Sequence, residues 1–172
     1  MMNMTADDLA LVEAIMIAGH ATLRGEFEYA ERMFRFALNK WQGQAKQDIL
    51  YPGALTGLAQ VYLLQGRLEE AEPLLQEALL RYEQDFVDDL FGRFSTLCDL
   101  GGVNLELGLP ENARSFYEQA LPLGEKALID HPQVLAYGCL RGYAKVLRRL
   151  QLSSEAETVE NRIRSVLGEN YE

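Results

Sequence analysis

The chain has 172 residues, 48% of them hydrophobic and 24% charged, enough apolar material for one core or one short helical array. Its formal net charge of −10 argues against a nucleic-acid-binding face and against adsorption to an anionic membrane. No apolar run reaches the roughly 18 residues of a bilayer-crossing helix, and the N-terminus carries Asp7 and Asp8 with no basic segment, unlike a secretory signal.

In chain order, the pattern predicts helices in pairs. The first runs from a Thr5 cap, with Asp7, Asp8 and Glu13 near its positive end, to Leu23, and Gly25 turns it. The second runs from Glu28 to Trp41 and stops at Gly43, with Trp41 expected to pack against the following pair. Tyr51-Pro52 opens the third, since proline suits a first turn. Ala54 to Leu80 is the clearest stretch. Leu55, Leu58, Ala59, Tyr62 and Leu63, then Leu68, Ala71, Leu74, Leu75, Ala78 and Leu79, keep the three-four spacing of one buried helical face. Gly66 lies between the two runs and can take the left-handed turn that joins them. The fourth helix continues to about Gln84, bent slightly at Pro73. Helix five follows the acidic link Asp85 to Asp89 and ends near Leu107. Helix six starts at Leu109-Pro110; Pro122 and Gly124 either kink it or end it, and the pattern leaves both open. Asp130-His131-Pro132 opens helix seven, which runs to Leu150. Ser153 or Ser154 then caps helix eight.

The same pattern occurs four times. Leu58, Ala59, Tyr62, Gly66, Ala71, Leu75 and Ala78 correspond to Ile17, Ala18, Ala21, Gly25, Ala30, Phe34 and Ala37 in the first copy. The third copy has Leu100, Gly101, Asn104, Gly108, Ala113, Tyr117 and Ala120 there, and the fourth has Tyr143, Ala144, Leu147, Gln151, Ala156, Glu160 and Ile163. The turn positions are 41, 42 and 43 residues apart. This arrangement resembles the tetratricopeptide repeat, and most of all the long-period form of kinesin light chains, to which Glu70-Ala71-Glu72-Pro73-Leu74 is similar. The resemblance implies an all-α fold: a right-handed superhelical solenoid of four helical hairpins, eight helices, in a single domain over 1–172. The repeats fall at about 5–45, 48–86, 88–130 and 132–168. The fourth departs most, with Gln151 at the glycine position and Glu160 and Ile163 at an apolar and a small one. Its second helix reads as a terminal cap with a polar outer face.

The resemblance also implies a concave groove lined by the first helix of each repeat, which in this family commonly holds a peptide or protein segment. Register puts Val12, Ile15, Gly19 and Thr22 there in repeat one, and Gly53, Thr56, Gln60, Leu63 and Leu64 in repeat two. Repeat three supplies Ser95, Cys98, Gly102, Leu105 and Glu106, and repeat four Gly138, Arg141, Lys145, Arg148 and Arg149. The fourth set is basic. Residues 132–172 carry six basic and five acidic side chains, against ten and twenty-one in residues 1–131. Arg141, Lys145, Arg148 and Arg149 recur every three or four residues and so share one helical face. Arg141 and Lys145 fall at the positions that are basic in family members clamping a C-terminal carboxylate, while Thr56, Gln60 and Gly102 stand where the clamp would have asparagine or lysine. Two readings follow: a solvated basic stripe, or a site for an acidic or carboxylate-ended segment.

Nothing in the sequence converges on a reaction, a cofactor or a metal. His20 and His131 are at no metal-ligand or triad spacing, and Cys98 and Cys139 are expected as reduced, buried thiols. The sequence therefore predicts a non-enzymatic, cytoplasmic scaffold that binds another protein or peptide. It has two rivals: a ligand-responsive regulator, for which the chain has no length left for an effector domain, and a self-assembling structural unit whose solenoid ends stack.

Overall fold

The computed structural model describes residues 6–41 and 48–167; the Thr5 cap and the Gly43 stop lie outside them. Among the described residues every regular element is helical. The chain divides into two compact units, residues 1–86 and 87–172, at the boundary between the second and third repeats.

The first unit holds α1 (Ala6–Leu23), α2 (Phe27–Lys40), α3 (Leu50–Leu64) and α4 (Leu68–Gln84). α1 pairs with α2 and α3 with α4, while α2 also packs on α3. Ala18, Ala21, Ala30, Ala37, Ala59, Ala71 and Ala78 are all fully buried, because each stands where two helix backbones approach closely. The hairpins interlock through a knob and a hole. Phe34 of α2 lies so close over Gly57 of α3 that a β-carbon there would overlap its ring. Trp41 is buried as expected and meets Tyr51 edge-on at 5.7 Å between ring centres. Glu31 of α2 adds a polar tie, accepting from Arg35 (2.9 Å) in its own helix, from Tyr62 (3.0 Å) in α3, and from Arg67 (2.8 Å) at the start of α4.

The second unit holds α5 (Leu90–Glu106), α6 (Pro110–Ala127), α7 (Pro132–Leu135), a π-turn (Ala136–Leu140), α8 (Arg141–Arg149) and α9 (Ser153–Leu167). α7, the π-turn and α8 follow one another without a break, so together they are the single long helix that the sequence predicts from Pro132. α5 pairs with α6 and α8 with α9; α8 in turn packs on α6 and α5. Asp89 caps α5 by accepting from the Gly92 amide at 2.8 Å. α6 runs continuously through Pro122, which settles the open alternative in favour of one helix. α9 begins at Ser153, so neither Ser153 nor Ser154 stands outside the helix as a cap. The knob and hole recur here: Tyr117 of α6 sits between Gly101 of α5 and Gly142 of α8.

All four hairpin turns close in one way. Gly25, Gly66 and Gly108 have φ of 75°, 73° and 78°, and Gln151 has φ of 62°. In each, the amide of the left-handed residue donates three residues back and the next amide five back, as in Glu26 to Ala21 (2.9 Å) and Leu152 to Leu147 (2.9 Å). This pair of bonds uses carbonyls that a helix end otherwise leaves free. Gln151 therefore keeps the turn without the glycine that suits it.

The π-turn has a reason in the sequence. Leu135, Cys139, Tyr143 and Leu147 are all buried and all four residues apart. At 3.6 residues per turn, each such step overshoots by about 40°, so a straight α-helix would carry Leu147 about 120° off the face of Leu135. One extra residue taken up in a π-turn cancels most of that drift. It also accounts for the longest repeat interval, the 43 residues from Gly108 to Gln151.

Candidate functional site

α8 separates its two kinds of residue sharply. Tyr143, Ala144, Val146 and Leu147 are buried against the hairpin, which leaves Arg141, Lys145, Arg148 and Arg149 exposed. Together with α9 it forms an open cleft of about 580 Å³. Ala144 and Ile163, both buried, make its apolar floor, and Arg141, Lys145, Arg148, Arg149 and Arg164 make its rim with the single carboxylate of Glu160.

The charges on the rim are not equivalent. Arg148 grips Glu160 with two hydrogen bonds, Nε to Oε1 at 3.0 Å and a terminal nitrogen to Oε2 at 2.7 Å. Arg164 reaches the same carboxylate at 4.0 Å. The hydrogen bond from Arg148 holds Glu160 below the usual carboxylate range, against the opposing effect of partial burial. Among the described residues, Lys145 and Arg149 form no ion pair. The cleft therefore keeps an uncompensated positive charge, and its one acid is already engaged by arginine.

The residues singled out by register differ in exposure. Arg141, Lys145 and Arg148 come together in the cleft. In the same unit, Cys98 and Leu105 are buried, and Gly102 is half-buried, where a β-carbon would make ordinary contact with the Tyr117 hydroxyl at 3.8 Å. In the first unit, Gln60 is exposed and Leu63 half-buried, while Thr56 is buried and donates its hydroxyl to the Pro52 carbonyl at 3.0 Å. Thr56, Cys98 and Leu105 thus present almost no surface to a ligand; Cys98 meets Cys139 of the following helix instead. Glu160, Ile163 and Arg164 of α9, which complete the cleft, were not among the positions that register singles out. Glu160 and Ile163 stood out in the sequence only as departures from the repeat, and that irregularity was the available signal.

The two cysteines are both buried and unbridged. The Cys98 thiol is pushed far up by a hydrogen bond with Cys139 and by burial, which suits an inert pair rather than a nucleophile. Among the described residues, no group of three or more His, Cys, Asp or Glu comes together as metal ligands would, and no helix is long and apolar enough to cross a membrane.

Residues 50–126 match the family model described as tetratricopeptide repeat. Residues 50–126 thus carry the tetratricopeptide repeat, and the paired helices, left-handed turns and buried alanines continue the same fold on either side of them. Solved structures with the same fold include BtubC (BKLC) from P. vanneervenii, 24% identical, with a TM-score of 0.78 over 95% of this chain and 65% of that one. A Podosopora anserina putative kinesin light chain with nearly identical TPR-like repeats is 18% identical, with a TM-score of 0.74 over 91% of this chain and 74% of that one. Aspartyl phosphate phosphatase F from Bacillus subtilis is 13% identical, with a TM-score of 0.77 over 90% of this chain but only 40% of its own length. The chain thus spans about two thirds of BtubC and less than half of the phosphatase. No curated protein sequence matches it.

Proposed function

We propose that this chain is a non-enzymatic interaction scaffold whose C-terminal hairpin binds an acidic or carboxylate-ended segment of another protein. Proteins of this repeat family generally bind other proteins. The observation that carries the finer reading is the cleft of α8 and α9, where five basic side chains and one acid line about 580 Å³ in a chain of net charge −10. Opposite charge in a partly desolvated cleft attracts more strongly than on an open surface, and the acidic remainder of the chain repels the same ligand elsewhere. Arg141 and Lys145 are the main contacts in this reading, one helical turn apart on one face. The neighbouring unbridged thiols Cys98 and Cys139 fit a reducing, cytoplasmic setting.

Titration calorimetry with synthetic acidic peptides ending in a free carboxylate tests the reading. Arg141→Ala with Lys145→Ala should weaken binding at least tenfold, about 1.4 kcal/mol or more, with helical content unchanged, and added salt should weaken it further. Affinity that survives both changes would return the basic stripe to a solvated face.

A further inference from the structure

The cleft on the fourth hairpin has a counterpart inside the same unit. Shifting Gly101, Gly102, Leu105 and Tyr117 by a constant 43 residues gives Ala144, Lys145, Arg148 and Glu160. On the third hairpin this surface is occupied. α8 lies across it, Gly142 against the Tyr117 ring, with Tyr143 beside that ring at 6.2 Å between centres. Gly101, Leu105 and Tyr117 are buried as a result. On the fourth hairpin the equivalent surface is open, and no element among the described residues covers it. Its shape is therefore one that receives a helix, while its chemistry has changed from glycine, leucine and tyrosine to lysine, arginine and a bound carboxylate.

We infer that the cleft of α8 and α9 takes an acidic amphipathic helix of a partner protein, laid where the first helix of a further repeat would lie. This inference rests on the binding reading above and names the form of the bound segment. Two features favour a helix of foreign chemistry over another repeat of this kind. The aromatic knob of Phe34 and Tyr117 is replaced by Glu160, locked to Arg148 at 2.7 Å, so no knob stands ready for a glycine-bearing helix. The apolar floor of Ala144 and Ile163 is flanked by Lys145, Arg149 and Arg164. That combination suits a helix with small or aliphatic residues on one stripe and glutamate or aspartate beside them at three-four spacing. Carboxylates so placed would meet Lys145 and Arg149, which have no ion pair among the described residues.

Fluorescence anisotropy with two labelled synthetic peptides of identical composition tests this. One is a lactam-stapled helix with a leucine-alanine stripe flanked by glutamates; the other has its prolines placed to break the helix. The stapled helix should bind at least tenfold tighter than the broken isomer. Lys145→Glu with Arg149→Glu, checked by circular dichroism for an intact fold, should cost at least another tenfold. Equal or tighter binding of the broken isomer overturns the helix but leaves the proposed scaffold function standing. If neither peptide binds, nor any free-carboxylate peptide, both readings fall. If sedimentation shows a dimer that the charge reversal dissolves, the occupant is a second copy of the chain, and the partner helix is wrong.

Discussion

The Tyr117 ring and Gly142 occupy the same space that a side chain at 142 would need: a β-carbon built there overlaps the phenol. Tyr117 cannot retreat, because the other side of its ring presses on Gly101, where a β-carbon would lie 2.8 Å away. Phe34 and Gly57 repeat the relationship in the first unit. Alanine favours a helix interior over glycine by about 1 kcal/mol, so propensity alone would make Gly142→Ala and Gly57→Ala stabilising. Overpacking opposes it at about 1–3 kcal/mol, and burial of the rings lets overpacking win. Both substitutions should lower the melting temperature. Pairing Gly142→Ala with Tyr117→Leu should recover part of the loss. A rise in either single variant would show that the rings yield.

Gln151 holds a left-handed backbone at φ 62° where the other three turns use glycine. A residue with a β-carbon in that region is strained by roughly 1–2 kcal/mol. Gln151→Gly should therefore stabilise the C-terminal hairpin, by somewhat less than the strain, since glycine also gains freedom when unfolded. Denaturant unfolding that shows a lower midpoint for the variant would contradict this.

Glu31 should make stability depend on acid. Partial burial pushes its carboxyl up, but donations from Arg67, Tyr62 and Arg35 more than offset that, and the net position is below the ordinary 4.5. A depressed carboxylate contributes stability that is complete above its unfolded value and is lost as pH falls through the lower, folded one. Glu31→Gln should thus be destabilising at pH 7, with the gap to the parent narrowing below about pH 4.5. A gap constant from pH 7 to pH 3 would mean that the network contributes nothing as an ion.

The buried thiols give a chemical check on the packing of the second unit. With Cys98 and Cys139 both enclosed, and Cys98 disfavoured as a thiolate, a thiol-specific reagent at pH 8 should label the native chain slowly. Both thiols should react at once after denaturation. Rapid labelling of the folded protein would place at least one of them at the surface.

The hairpins were legible because small and large residues recur at fixed spacing, and each turn confirms the others. Even Gln151, which is not glycine, was assigned its turn from its place between Leu147 and Ala156 in the repeating pattern. The basic face of α8 was legible for the same reason, as four cations at three-four spacing. The cleft was not, since it needs Glu160, Ile163 and Arg164 from a second helix, and those positions break the repeat rather than follow it. Groove assignments such as Thr56, Cys98 and Leu105 came from register alone. Register fixes direction around a helix to within a residue or so, and at these positions that margin separates surface from interior. The π-turn was visible in principle: four buried residues at uniform intervals of four do not fit a 3.6-residue turn.

That π-turn also makes the long helix tolerant of length. α8 is fastened by Tyr143, Val146 and Leu147, and Leu135 of α7 rests over Gly124 beside Phe94. Removing one codon within 136–140 would let the wide turn tighten to ordinary α geometry, leaving Leu135 and Leu147 eleven residues apart and within about 20° of one face. Leu135 would keep its seat over Gly124, and Arg141, Lys145 and Arg148 would keep their bearing. The turn works as a slip joint between the helix start, where length can vary, and the charged surface beyond it, where direction matters.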